Sequence, residues 1–165
     1  HIFLGRWMKH GVYPVKLLRL FRYGAARCEQ RHMDEHMELS RGRAVEFEHD
    51  FVDENLNGLG WWAHKHVDYS ARELADLEDI LSSAAANSGI NGQAERKRAM
   101  KERYARQPLF WRSFAYFCYR YFLKLGFLDG REGFLWHFMQ GWWYRTLVDA
   151  RQFEKQKKGS GKTAR

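Results

Sequence analysis

The sequence predicts an α+β fold in which a few short strands precede a long helix and an aromatic-rich helical hairpin. Residues 1–53 alternate short apolar runs with turn-forming residues, which is the pattern of short strands. Residues 57–86 carry apolar side chains at steps of three and four, which indicates a helix. Two aromatic segments, 110–125 and 133–148, are separated by glycines that break helices. We therefore divide the chain into four units, 1–56, 57–107, 108–153 and 154–165.

The first unit carries the strand signals. Residues 16–21 are apolar with arginines interspersed, and a turn at Gly24 separates them from residues 25–31. A further signal covers residues 43–47, which follow a glycine turn. Apolar runs bounded by turn residues are typical of strands, so we expect short strands in these places.

The second unit begins with one long helix. Ser70 and Glu73 form a Ser-x-x-Glu capping box, which on its own would begin a separate helix at Ser70. The apolar periodicity runs through Ser70 without a break, so we predict a single helix instead. A mobile loop and then a basic, polar helix are expected over residues 87–107. The residues that share the apolar face are Leu59, Trp62, His66, Tyr69, Glu73, Leu77 and Leu81.

The aromatic segments predict a helical hairpin whose wide apolar face lies in a membrane interface. The apolar part of the second segment has about 15 residues, or roughly 22 Å of helix at 1.5 Å per residue. A hydrocarbon core is about 30 Å thick, so a simple transmembrane span is not predicted. The alternative is that this face packs on protein. A narrow polar stripe interrupts it at His137, Gly141, Arg145, Asp149 and Gln152.

The net charge of +8 lies in two segments beside the hairpin. Residues 87–107 hold six Lys or Arg against two Glu, and residues 154–165, read as a basic disordered tail, hold five against one. The remainder is formally neutral. Basic segments around an aromatic block favour an anionic membrane surface. A nucleic-acid partner is not predicted, because such a protein carries its basic face on the folded body.

The two cysteines, Cys28 and Cys118, are too few and too far apart for a disulfide framework or a metal cluster. A reducing, cytoplasmic setting is the simplest interpretation. Together with the aromatic hairpin, this predicts a protein that is peripheral on the inner face of the plasma membrane.

One local cluster has the composition of a catalytic site. Asp34 and Glu35 are adjacent carboxylates flanked by His32 and His36 and preceded by Arg31. A carboxylate in such a place can act as a general base, because neighbouring cations keep it ionised. Solvated surface is the alternative interpretation for an acidic dipeptide after a strand.

Short motifs are spread along the chain up to about Ala150. They are Gly5-Arg6, Lys9-His10-Gly11, Tyr13-Pro14, Leu18 to Arg22, Arg27, Arg31, Met33 to His36, Asp53-x-Asn55, Trp62, Lys65-His66, Tyr69, Arg72-Glu73, Tyr119 to Phe122, Gly126 to Gly130, Gly133-Phe134 and Trp143 to Arg145. Their order and spacing together resemble the C-terminal, acceptor-side part of bacterial family-2 glycosyltransferases.

The resemblance implies the C-terminal part of a GT-A domain and an inverting transfer from a nucleotide sugar to an acceptor commonly carried on a polyprenyl lipid. It implies Asp34 as the base that deprotonates the acceptor hydroxyl, with Glu35 as the fallback. The full-length enzyme is expected to need a divalent metal, Mg or Mn, on the donor diphosphate. In this family the metal-binding Asp-x-Asp motif and the nucleotide-binding strands precede the region that the chain resembles. The chain alone is therefore expected to be an inactive fragment that binds no metal. Within it, Asp53 and the rival His49 are the metal candidates.

Five residues are candidates for contact with the acceptor or its phosphate, and each also has a structural interpretation. On the apolar helix face, His66 is equally suited to packing, and Lys65 beside it is suited to solvent. A different function remains open as well, that of a non-catalytic peripheral membrane module. The five candidates are Arg19, Arg31, His36, Lys65 and His66.

Overall fold

The computed structural model describes residues 1–30, 32–33, 35–83 and 93–162 and confirms the α+β class. Two small antiparallel sheets precede a helical body, and neither sheet has more than two strands. The strands are β1 (Ile2–Phe3), β2 (Arg6–Trp7), β3 (Ala26–Cys28) and β4 (Met37–Leu39). The α-helices are α1 (Leu59–Ser83), α2 (Gln93–Ala105), α3 (Trp111–Cys118), α4 (Gly130–Trp136) and α5 (Tyr144–Lys162).

The strand predictions are correct in one place and wrong in two. The segment after the Gly24 turn forms β3, which pairs with β4, but residues 16–21 and 43–47 form no strand. These two stretches are linked by side chains instead, because Lys16 Nζ lies 2.5 Å from a Glu46 carboxylate oxygen. A strand needs a backbone ladder on a neighbouring chain segment, and apolar patterning alone does not supply one.

The prediction of one long helix is confirmed by α1, which runs through Ser70. The Ser70 hydroxyl is fully buried and donates to the Val67 carbonyl oxygen at 2.6 Å, so it does not cap a helix. The same hydroxyl accepts a hydrogen bond from Arg151 Nε at 2.7 Å, which joins α1 to α5. Packing between these two helices therefore prevails over the local capping signal.

The predicted hairpin is confirmed as helical. Its first arm is α3 continued by a π-helical turn at Tyr119–Leu123, and its second arm is α4, a π-helical turn at His137–Trp143 and α5. A 3-10 turn at Gly126–Asp129 joins the arms. Among the described residues, no helix is long and apolar enough to cross a membrane.

The prediction of a disordered tail from residue 154 is wrong for the described part, because α5 continues to Lys162. Two ion pairs explain the continuation. Lys158 pairs with Glu154 one turn earlier at 2.5 Å, and Lys155 pairs with Glu78 of α1 at 2.7 Å. Pairs spaced four residues apart stabilise a helix modestly, and the contact with α1 adds tertiary support.

Two apolar clusters form the core. The first joins β1, the start of α1 and the end of α4, and the second joins α1, α2 and α5. Trp143 packs against both clusters and so connects them. The members of the first are Phe3, Met8, Trp62 and Trp136, and those of the second are Leu77, Ala105, Tyr144 and Val148.

Candidate functional site

Of the predicted catalytic pair, the structure describes only Glu35, which lies between β3 and β4. Asp34 and Arg31 lie outside the described residues. Glu35 is exposed, and the His36 ring nitrogen Nδ1 lies 3.5 Å from a Glu29 carboxylate oxygen. The Glu29 N–H donates to the His36 carbonyl oxygen at 2.8 Å, so backbone pairing closes the base of this loop.

The described residues of this segment do not lie beside the other predicted acceptor residues. His32 Nε2 lies 3.1 Å from Asp79 Oδ2, near the C-terminal end of α1. Lys65 and His66 precede Asp79 by 13 or 14 positions on the same helix, which corresponds to about 20 Å. Arg19 is exposed in the irregular segment 16–21. The described candidates are therefore dispersed over the molecule.

His66 is a packed histidine. Its ring stacks on Trp62 with centroids 3.5 Å apart, and its Nδ1 lies 2.8 Å from the Trp62 carbonyl oxygen. Burial lowers the pKa of His66 below its ordinary value, so the neutral ring is favoured. Lys65 lies over the rings of Trp61 and Tyr69, at 5.0 and 5.2 Å. This geometry favours the structural interpretation of His66 over acceptor contact.

The metal candidates do not form a site. Asp53 lies 3.5 Å from His1 Nδ1, and the Asp53 carbonyl oxygen accepts from the Ile2 N–H at 2.9 Å. His49 is exposed. Within the described part of the chain, no group of three His, Cys, Asp or Glu side chains converges as metal ligands do. Asp53 and His49 therefore do not fit a divalent metal site.

A polar junction connects the N-terminal segment to the hairpin turn. His10 donates its backbone N–H to Asp129 Oδ2 at 2.9 Å, and its Nδ1 lies 2.7 Å from Asp129 Oδ1. The Gly11 N–H donates to the Lys124 carbonyl oxygen at 3.0 Å. Asp129 is only 2% exposed, so its carboxylate is buried, and each of its two oxygens contacts His10.

His137 lies at the centre of this junction and is fully buried. A Cβ atom added at Gly11 would lie 2.1 Å from the His137 ring, and one added at Gly126 would lie 2.3 Å from it. Only glycine allows the backbone to approach so closely. Burial and the nearby Arg120 charge lower the pKa of His137 to about 4, against a weaker attraction from Asp129. The ring is therefore neutral at pH 7.

We expect stability to fall in mild acid because of His137. Its pKa is about 4 in the fold and about 6.5 in an unfolded chain, so the unfolded state binds the extra proton between these values. The free energy of unfolding should be unaffected by this group above about pH 6.5. Below that it should fall by up to about 1.4 kcal/mol per pH unit, to a total of about 3 kcal/mol. Urea denaturation followed by tryptophan fluorescence at several pH values measures the slope.

The control for this prediction separates His137 from the other histidines. His137→Gln should reduce the acid slope and leave the part that His66 contributes, because burial lowers the pKa of His66 as well. His49→Gln, at an exposed position, should leave the slope unchanged. An unaltered slope in His137→Gln would contradict the assignment.

The polar stripe of the second hairpin arm faces inward and not toward solvent. Asp149 and Arg112 form an ion pair between the arms with both side chains 1% exposed, and Arg112 Nε lies 2.7 Å from Asp149 Oδ1. One turn away, the Ser113 and Thr146 hydroxyls lie 3.0 Å apart. The seam continues to Arg145 of the second arm, whose guanidinium lies over the Tyr116 ring of the first arm at 4.4 Å. Polar groups therefore line the contact between the arms.

The outer surface of the hairpin is correspondingly apolar. Large apolar side chains between residues 110 and 135 remain well exposed, and they concentrate at its turn. A water-facing helical hairpin ordinarily shows the opposite distribution. The most exposed members are Leu123, Trp111, Phe122 and Leu128.

Among the described side chains of the two basic segments, four cations pair with acids of the chain. Lys101 pairs with Asp76 at 2.7 Å and with Glu73 at 3.3 Å. Arg106 pairs with its helix neighbour Glu102, and Lys155 and Lys158 of α5 form the two pairs described above. Pairing of these cations with acids of the chain does not test the predicted contact with an anionic membrane, which stays a prediction.

Sequence reasoning missed the junction of His10, Asp129 and His137. Its signal was present in two of the motifs, Lys9-His10-Gly11 and Gly126 to Gly130, but nothing local indicates that they meet. Comparison of the chain with protein-family models, with curated proteins and with solved structures gives no match. Functional inference therefore depends on the residues of this chain.

Proposed function

We propose that this chain is the acceptor-side, C-terminal part of an inverting glycosyltransferase that works on the cytoplasmic face of the plasma membrane. The base is Asp34, with Glu35 as the alternative. It takes the proton of an acceptor hydroxyl, which then attacks the anomeric carbon of a nucleotide sugar. The acceptor is a glycan on a polyprenyl lipid. The resemblance assigns binding of the nucleotide sugar and its divalent metal to strands that precede this region of the fold.

The junction of two distant motifs carries this proposal. His10 and Asp129 are 119 residues apart in sequence, yet they pair through a buried carboxylate. Gly11 and Gly126, from the same two motifs, both approach the His137 ring. Because the two motifs contact each other in the fold, there is a physical reason for both to be present in one sequence. This supports the interpretation that the motifs of the resemblance belong to one folded unit and are not separate chance matches.

Substitution of the carboxylates tests the chemistry. In the protein expressed from the longest open reading frame that contains this chain, Asp34→Asn should reduce transfer by at least about 100-fold, since a positioned general base contributes roughly 10²–10⁴-fold. Binding of the nucleotide sugar should change little. Transfer of labelled sugar from a panel of nucleotide sugars into the lipid-extractable fraction measures activity, and calorimetry measures binding.

Two further variants make the result decisive. Glu35→Gln tests the alternative base, and Glu46→Gln, at an exposed carboxylate, is the matched control and should keep full activity. Full activity in both Asp34→Asn and Glu35→Gln would reject this loop as the source of the base. An open reading frame without an upstream Asp-x-Asp motif would count against the glycosyltransferase itself.

The second candidate function is a non-catalytic module that binds the membrane surface. The exposed apolar turn of the hairpin favours it, because such a surface can bind a membrane whether or not sugar is transferred. The two functions differ in their response to Asp34→Asn, which affects only the catalytic one.

A further inference from the structure

We infer that the hairpin tip, residues 119–128, is a surface that inserts into an anionic bilayer. It comprises the π-helical turn of the first arm and most of the 3-10 turn that follows. Six of its large apolar side chains are between 44% and 76% exposed, whereas Tyr121 is half-buried. The six exposed tip side chains are Tyr119, Phe122, Leu123, Leu125, Phe127 and Leu128.

The charges at the tip match the headgroups of anionic lipids. Two acids lie close by in sequence, but Asp129 is buried against His10 and Glu132 lies 3.7 Å from Arg6. The cationic side chains, in contrast, face solvent. Lys124 is exposed and lies over the Tyr119 ring at 5.9 Å, and Arg131 is exposed. Aromatic and aliphatic side chains mixed with Lys and Arg are typical of the membrane interface. A bilayer with anionic lipid is therefore the occupant that this surface fits.

The backbone at the tip presents an apolar side chain at a position that favours glycine. Leu125 has φ 59° and ψ 25°, the left-handed conformation, and its side chain is 46% exposed. A residue with a Cβ is strained in this conformation, whereas glycine is not. About half of the Leu125 side chain remains uncovered by the protein. A bilayer that covers this half would offset part of the backbone strain.

Vesicle binding by three tip variants tests the inference. Leu123→Glu should weaken binding to vesicles of phosphatidylcholine and phosphatidylglycerol by at least about tenfold, because a mostly exposed leucine would lose its burial in lipid. Lys124→Glu should weaken binding about fivefold and reduce the preference for phosphatidylglycerol. Leu125→Gly should weaken binding and yet raise the unfolding temperature, since it removes both the apolar contact and the strain.

The matched control is Leu20→Glu. Leu20 is 74% exposed, against 76% for Leu123, but it lies in the irregular N-terminal segment. This variant should bind vesicles like the unaltered chain. Circular dichroism confirms that each variant remains folded.

Three results would overturn the inference. They are no vesicle binding by the unaltered chain, equal losses in Leu123→Glu and Leu20→Glu, and a concentration-dependent dimer that only Leu123→Glu disrupts. The last would assign the tip to a second copy of the chain. The inference rests on the proposed function for the identity of the membrane. Vesicle binding needs neither donor nor acceptor, so its failure is distinguishable from failure of glycosyl transfer.

Discussion

Asp149→Ala is expected to lower the free energy of unfolding by about 3–5 kcal/mol, the cost of breaking a buried ion pair by removing one partner. The Asp149 carboxylate accepts from Arg112 Nε and from the Phe110 N–H, both at 2.7 Å. Without it, the Arg112 guanidinium stays buried with no counter-charge beside it. The free energy of unfolding of a domain is about 5–15 kcal/mol in total, so the variant should be close to unfolding.

The size of this effect follows from the number of elements that meet at Arg112. Its guanidinium also donates to the Ala105 carbonyl oxygen at 2.6 Å and to Gln152 Oε1 at 2.8 Å. The end of α2, the start of α3 and the middle of α5 therefore share one hydrogen-bond network. Loss of Asp149 should loosen all three contacts together, since members of a network couple strongly.

Urea denaturation at pH 7 measures the loss, and two further variants define its origin. Asp68→Ala, at an exposed position of α1, should change stability by no more than about 0.5 kcal/mol. The double variant Arg112→Met with Asp149→Leu should recover much of the loss, because apolar replacement of both partners leaves no buried charge. A loss of under about 1 kcal/mol in Asp149→Ala would show that the pair is not a principal contact of the hairpin.

The parts of the fold that the sequence predicts are those set by local pattern. The continuous apolar periodicity of α1 correctly predicted one helix through Ser70, although Ser70 also carries a capping signal. Periodicity is informative here because a helix is a repeat of short-range contacts. Residues 16–21 have an equally clear apolar pattern, but a strand also needs a partner backbone. That requirement is non-local, so the pattern predicted a strand where none forms.

Periodicity also leaves open which face of a helix is covered. The stripe from His137 to Gln152 was visible in the sequence, but its inward direction depends on Arg112 and Ser113 of the other arm. The pairing of charges is non-local in the same way, because the ion pair of Lys155 with Glu78 spans 77 residues. Of the predicted site, Asp34 and Arg31 lie outside the described residues, so their assignment stays a prediction.

Alanine at Gly11 or Gly126 is the second substitution with a large expected effect. The added Cβ would lie within 2.1–2.3 Å of the His137 ring, far inside van der Waals contact. The ring is fully buried and has little room to move. Overpacking of this kind costs about 1–3 kcal/mol in each variant. Gly11 also has φ 84°, so alanine there should lose about 1 kcal/mol more through backbone strain.

Combination with His137→Ala separates these two causes. Removing the ring should relieve most of the penalty at Gly126, where the obstruction is chiefly steric, and a double-mutant cycle should give a coupling energy of about 1–3 kcal/mol. At Gly11 the relief should be incomplete, because the strain of positive φ does not depend on His137. The free energies of unfolding of the five variants, measured in urea at pH 7, test this difference. Equal relief at both positions would mean that contact with the ring, and not the backbone conformation, is what requires glycine at position 11.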